Sequence, residues 1–160
     1  SEVGPGAVVV TKITPLYLKI SLESVQTNEL APHYVITIEH QAARYRWQQR
    51  PQAHLVAKGE KNEEFTLRAV QGPPQHPTQL TLQLRDGAVV TLMPGKPYQR
   101  VEDYSADLKY DPENDKWSGV RQGVDLKFNN DDYIVVAIHD NEVVLSAQSN
   151  QKKWTLPYQP

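Results

Sequence analysis

The sequence predicts an all-β protein: an antiparallel β-sandwich over residues 1–103 and a smaller β lobe over residues 104–160. Three observations carry that expectation. Apolar and polar residues alternate with a period of two in segment after segment, and clusters of Gly, Pro, Asn and Asp separate those segments. The apolar complement is dominated by Leu, Ile, Val and Tyr with a single Met, a mix suited to pleated sheets. No segment offers a convincing amphipathic helix. A chain of 160 residues suits one domain or two small lobes, and it buries about 68–70% of its unfolded surface, enough to fold without a disulfide or metal.

The first strand is read from Leu16, because Leu16, Leu18, Ile20 and Leu22 alternate with Tyr17, Lys19, Ser21 and Glu23. Four apolar side chains then share one face. Tyr34, Ile36 and Ile38 repeat the pattern, as do Phe65, Leu67 and Ala69. Between them, Gln41 to Arg50 is the best helix candidate. Its alternation of Ala43, Tyr45 and Trp47 with Arg44, Arg46 and Gln48 nevertheless favours a strand with Tyr45 and Trp47 in the core.

Thr78 to Met93 carries the strongest hairpin signal. Leu80, Leu82 and Leu84 alternate with polar residues, Asp86-Gly87 suits a type I′ turn, and Ala88 to Leu92 returns. Gly72-Pro73-Pro74 with Pro77 precedes this hairpin, and Met93-Pro94-Gly95-Lys96-Pro97 follows it.

The second lobe is read as a strand from Ala106 to Tyr110, a loop from Asp111 to Gly119, and four short strands between Gly123 and Leu156. Asp132 to Ile138 is apolar on both faces, which predicts a central strand covered on both sides. Asp140-Asn141 and Gln148 to Gln151 are the turns that follow, and Trp154 and Leu156 are expected to face inward.

Charge and motifs exclude more than they select. Lys and Arg total 17 against 19 Asp and Glu, a net charge of −2, so no global field holds a polyanion and nucleic acid is not expected as a partner. The absence of Cys removes disulfide and thiol chemistry without indicating a compartment. Asp111-Pro112-Glu113-Asn114-Asp115 spaces oxygen ligands as a calcium loop does, but Lys116 and Gln122 stand where such a loop needs Gly and Glu. His33, His40, His54, His76 and His139 lack zinc-site spacing. No strained G-x-S-x-G turn and no phosphate-cradling Gly loop is present, so no catalytic residue, cofactor or metal site is expected and the chain is read as non-enzymatic.

Arg44-Tyr45-Arg46-Trp47-Gln48-Gln49-Arg50 mixes cations with aromatics, a pattern able to stack on bases or sugar rings. The residues expected at an interaction surface are Arg44, Arg46, Trp117 and Tyr158. Exposed aromatics such as Tyr17, Trp117 or Tyr158 would serve the alternative of a carbohydrate-binding or adhesin-type module.

Two resemblances add context. Trp47-Gln48-Gln49-Arg50-Pro51 is similar to the Trp-to-Pro stretch of immunoglobulin variable domains, without their flanking Cys pair. Gly123, Leu126, Tyr133-Ile134-Val135, Ile138, Glu142-Val143-Val144-Leu145 and Lys152-Lys153-Trp154-Thr155-Leu156 resemble the β modules of pilus-assembly and type II secretion proteins. Together with Tyr110-Asp111-Pro112-Glu113-Asn114, they resemble pilus-associated envelope proteins of Akkermansia-type Verrucomicrobia.

That resemblance implies an immunoglobulin-like fold, export to the periplasm, outer membrane or cell surface, and a scaffolding role in a type IV pilus-like system. The implied partners are pilus or secretion proteins or a second copy of the chain. It carries over no catalytic or ligand residue. The chain opens Ser1-Glu2-Val3-Gly4-Pro5-Gly6 without Met, which is read as a mature or trimmed form. Membrane attachment would then need an anchor outside this chain.

Overall fold

The computed structural model describes residues 3–27 and 30–160, so the opening Ser1-Glu2 lies outside the described residues. The chain is all-β. Its strands are β1 (Val8–Gln26), β2 (His33–His40), β3 (Gln52–Val56), β4 (Phe65–Gln71), β5 (Gln79–Leu84), β6 (Val89–Leu92), β7 (Tyr98–Tyr110), β8 (Asp115–Val120), β9 (Asp125–Phe128), β10 (Asp131–Ile138), β11 (Glu142–Ala147) and β12 (Lys153–Pro157).

The strands form two compact units. One is contiguous, Tyr17–Arg100; the other combines the residues up to Leu16 with Val101–Pro160. A single division at 103/104 therefore differs from the structure at the N-terminus, where Val8 and Val10 of β1 share a buried core with Ala106 and Leu108 of β7. Both β1 and β7 begin in one unit and end in the other.

In the contiguous unit β3, β2 and β1 are successive neighbours in one sheet, and β4, β5 and β6 form a second. Antiparallel pairing sets Ile20 opposite Ile38 in the first and Leu67 opposite Leu82 in the second. The inner faces meet in one core built on Ile20, Tyr34, Ile36, Phe65, Leu67 and Leu82. The arrangement is a β-sandwich, and each such aliphatic side chain contributes about 1.5–3 kcal/mol by burial.

β-Bulges correct the simple alternation. In β4 the register shifts between Leu67 and Ala69, so Val70 rather than Ala69 lies opposite the buried Leu80 and packs on the core. A bulge between Leu22 and Ser24 likewise leaves Val25 opposite Tyr34. The extra residue advances the pleat by one and exchanges the faces beyond it.

The Asp86-Gly87 hairpin is present, but its turn is not type I′. Gly87 N–H donates to Leu84 O at 3.0 Å, Leu84 N–H donates to Ala88 O at 2.8 Å, and the positive φ (+91°) falls on Gly87 without one on Asp86. This is the three-residue turn with a glycine bulge. The type I′ geometry occurs instead at Asn129-Asn130, with φ of +52° and +55°, between the paired residues Phe128 and Asp131.

In the other unit, the start of β1 joins β7 and β8 in one sheet, while β12, β11, β10 and β9 form the second. Their shared core includes Tyr110, Phe128, Tyr133, Val135, Val143 and Leu145. Phe128 is its aromatic centre: its ring stacks on Tyr133 at 4.2 Å and lies 4.7 Å from Tyr110.

Four strands lie between Gly123 and Leu156 as expected, yet the Asp111–Gly119 loop is shorter than read. A 3-10 turn at Asp111–Glu113 and Asn114 at φ +55° return the chain into β8. β10 is central, but its burial is one-sided. Tyr133, Val135 and Ile138 are buried, whereas Ile134 and Val136 on the other face are half-exposed. Leu156 faces inward; Trp154 on the same face is half-buried against Tyr133.

Candidate functional site

The connection from β2 to β3 departs furthest from its expected structure and is the most exposed cationic and aromatic segment of its unit. Gln41 anchors its start on β1: Gln41 N–H donates to Tyr17 O, and Tyr17 N–H donates to Gln41 Oε1, both at 3.0 Å. Ala43 N–H then closes a turn on His40 O at 3.2 Å.

Arg46–Gln49 forms a single 3-10 turn in place of the expected strand. Gln48 Oε1 accepts the Tyr45 N–H at 3.2 Å and Gln49 Nε2 donates to Ala43 O at 2.9 Å. These local bonds satisfy backbone groups that a strand would have needed a neighbour to satisfy. Tyr45 and Trp47 therefore leave the core and stand 50% and 64% exposed. The Arg44 guanidinium lies 5.5 Å from the Tyr45 ring centroid, within cation–π range.

Arg50, in extended conformation (φ −68°, ψ 140°), leads through Pro51 into β3. Among the described residues β3 pairs with β2 on one side only and is the outermost strand of its sheet. Val56 is buried opposite Tyr34, whereas Leu55 is 51% exposed. His54 turns its ring edge-on to Phe65 at 5.9 Å, with a buried Nε2 that has no hydrogen-bond partner among the described residues. From Gln41 to Gly59 the chain carries Arg44, Arg46, Arg50 and Lys58 and no acidic residue.

The four residues singled out by sequence do not form one site. Arg44 and Arg46 are exposed in the contiguous unit. Trp117 and Tyr158 belong to the other unit and are half-buried packing residues. Trp117 lies 5.7 Å from Phe128, and Tyr158 N–H donates to Asn141 O at 2.8 Å. The sequence reading missed β3 itself, whose short Gln52-Ala53-His54-Leu55-Val56 run has only a weak alternation; the absence of acidic residues around it was the available signal.

Other clusters are more dispersed. A groove of about 550 Å³ includes Lys61, Arg68 and Arg85, but Glu63 lies among them and Arg68 Nε is held by Gln83 Oε1 at 2.8 Å. His33 lies 3.8 Å from Glu60, and His40 pairs with Glu64. Among the described residues, no group of three His, Asp or Glu is placed to hold a metal ion, and no helix is long and apolar enough to cross a membrane.

Neither a protein-family model, nor a curated protein, nor a solved structure matches this chain.

Proposed function

We propose that the protein is a non-enzymatic component of the bacterial cell envelope that scaffolds a type IV pilus-like system through protein–protein contacts. The observation that carries the contact role is the set of open sheet edges. Among the described residues the sheets end in outer strands rather than closing into a barrel, and an open edge offers backbone donors and acceptors to another chain. The envelope and pilus context rests on the likeness of the Gly123 to Leu156 run to pilus-assembly modules. Two antiparallel sheets over one core in each unit are compatible with the immunoglobulin-like fold which that likeness implies.

In-cell crosslinking with mass spectrometry tests this reading. Lys127, Lys152 and Lys153 are exposed beside the outer strands β9 and β12, and they are expected to link to pilus or secretion components. Links only to cytoplasmic proteins would overturn it.

A second reading, a surface carbohydrate-binding or adhesin-type module, is favoured by the exposure of Tyr45 and Trp47 beside Arg44. Trp117, half-buried against Phe128, serves that reading less well than the sequence suggests. It requires mucin-glycan binding on an array that disappears with Trp47→Ala.

A further inference from the structure

Sheet edges in this protein are unequally guarded. Strand β12 carries Lys153 and ends at Pro157, β9 carries Asp125 and Lys127, and β8 carries Asp115 and Lys116. Charges and Pro on an outer strand oppose pairing with another chain. The β4 edge is already occupied from within the chain: Gly59 N–H donates to Leu67 O at 2.8 Å, and Leu67 N–H to Glu60 O at 3.0 Å. β6 is uncharged but spans only Val89–Leu92.

The edge of β3 differs from the charged edges, and from the shorter β6 in following a cationic segment. Gln52-Ala53-His54-Leu55-Val56 contains no Asp, Glu, Lys or Arg. In an antiparallel ladder every second residue turns its N–H and C=O away from its partner strand, so β3, paired only with β2, presents such groups outward. The chain enters this strand through Arg44, Arg46 and Arg50, all exposed, and among the described residues no ion pair engages them. An uncharged edge beside uncompensated cations is complementary to a chain that is extended and negatively charged.

We propose that β3 takes up an extended acidic segment of a partner protein as an added strand. This deepens the protein-contact reading and rests on it. Outward amides and carbonyls of β3 supply the backbone pairing, Leu55 supplies an apolar contact, and Arg44, Arg46 and Arg50 hold carboxylates flanking the paired segment. A single strand of nucleic acid would also meet the arginines and Trp47, but it has no amide ladder to satisfy β3, and the net charge of −2 disfavours it.

The test uses the whole protein and a peptide probe alternating Val with Glu, about nine residues long to match one strand and its flanks. Fluorescence polarisation should detect binding that weakens with salt, and hydrogen exchange should show new protection at β3 amides. Joint substitution Arg44→Glu, Arg46→Glu and Arg50→Glu should weaken binding by at least about tenfold, or 1.4 kcal/mol. N-methylating alternate amides of the probe, which leaves its charge intact, should abolish binding.

Equal binding by the N-methylated probe, by a Val/Lys counterpart or by oligo(dT) would overturn the proposal, as would no binding at all. If the probe fails while envelope crosslinks persist, the β3 inference falls and the scaffold reading stands. If the probe binds but crosslinks place the protein among cytoplasmic partners, the edge site stands and the envelope reading falls.

Discussion

The hydroxyl oxygen of Tyr110 accepts the backbone N–H of Gly4 at 2.8 Å across a sequence separation of 106 residues. Tyr110 is fully buried and Gly4 is buried at φ +90°, so this bond ties the first described residues into the core of their unit. Tyr110→Phe keeps the ring and strands a buried donor, which costs about 1–3 kcal/mol. A lowered urea midpoint with an unchanged slope is the expected result; an unchanged midpoint would refute the role of the bond.

Phe128 and Trp154 separate central from peripheral aromatic packing. Phe128 is 3% exposed and touches Tyr110, Trp117 and Tyr133, whereas Trp154 is half-buried at the side of the same core. Phe128→Ala should destabilise by about 3–5 kcal/mol. Trp154→Ala should cost clearly less, and calorimetry on both variants checks the order.

The Asn129-Asn130 turn stores a measurable conformational preference. Asn130 holds φ +55° in an exposed position, a region that costs most L-residues about 1–2 kcal/mol. Asn130→Ala is expected to destabilise by about that amount, and Asn130→Gly to be neutral or stabilising. Chemical denaturation that ranks Ala at or above Gly would contradict the type I′ assignment.

Asp86 carries a pH dependence of known sign. The Ala88 N–H, donating to its carboxylate at 2.9 Å, holds the carboxyl below the usual range; desolvation opposes this, and Arg100 at 2.9 Å reinforces it. A depressed folded pKa stabilises fully above the unfolded value of about 3.9 and is lost as pH falls through the folded value. Asp86→Asn should flatten the acid side of the Tm–pH curve below about pH 4. Thermal melts across that range, with an equally steep fall in the variant, would exclude the effect.

Strands with clean alternation were readable: Leu18 and Ile20, Tyr34 to Ile38, and Leu80 to Leu84 all bury the expected face. Alternation failed where the pleat slips, since no residue type announces the bulges at Leu67/Ala69 or Val135/Ala137. It also failed where a Pro interrupts a strand. Pro15 lies within β1, whose true start at Val8 therefore escaped a reading that began at Leu16. Gln41 to Arg50 had a strand's alternation, yet short-range bonds by Gln48 and Gln49 claimed its backbone first. The four proposed interaction residues followed residue type alone, which does not distinguish the packed Trp117 from the exposed Trp47.

The split of β1 and β7 between the units also bears on biosynthesis. Tyr17–Arg100 forms an uninterrupted stretch with its own core and can complete that core while later residues are still being translated. Val8 and Val10, made before that stretch, must wait for Ala106 and Leu108 and then for the strands through Leu156. Residues translated before the Tyr17–Arg100 stretch thus join a core closed by residues translated after it, and this slow, long-range step of folding follows synthesis of the contiguous unit.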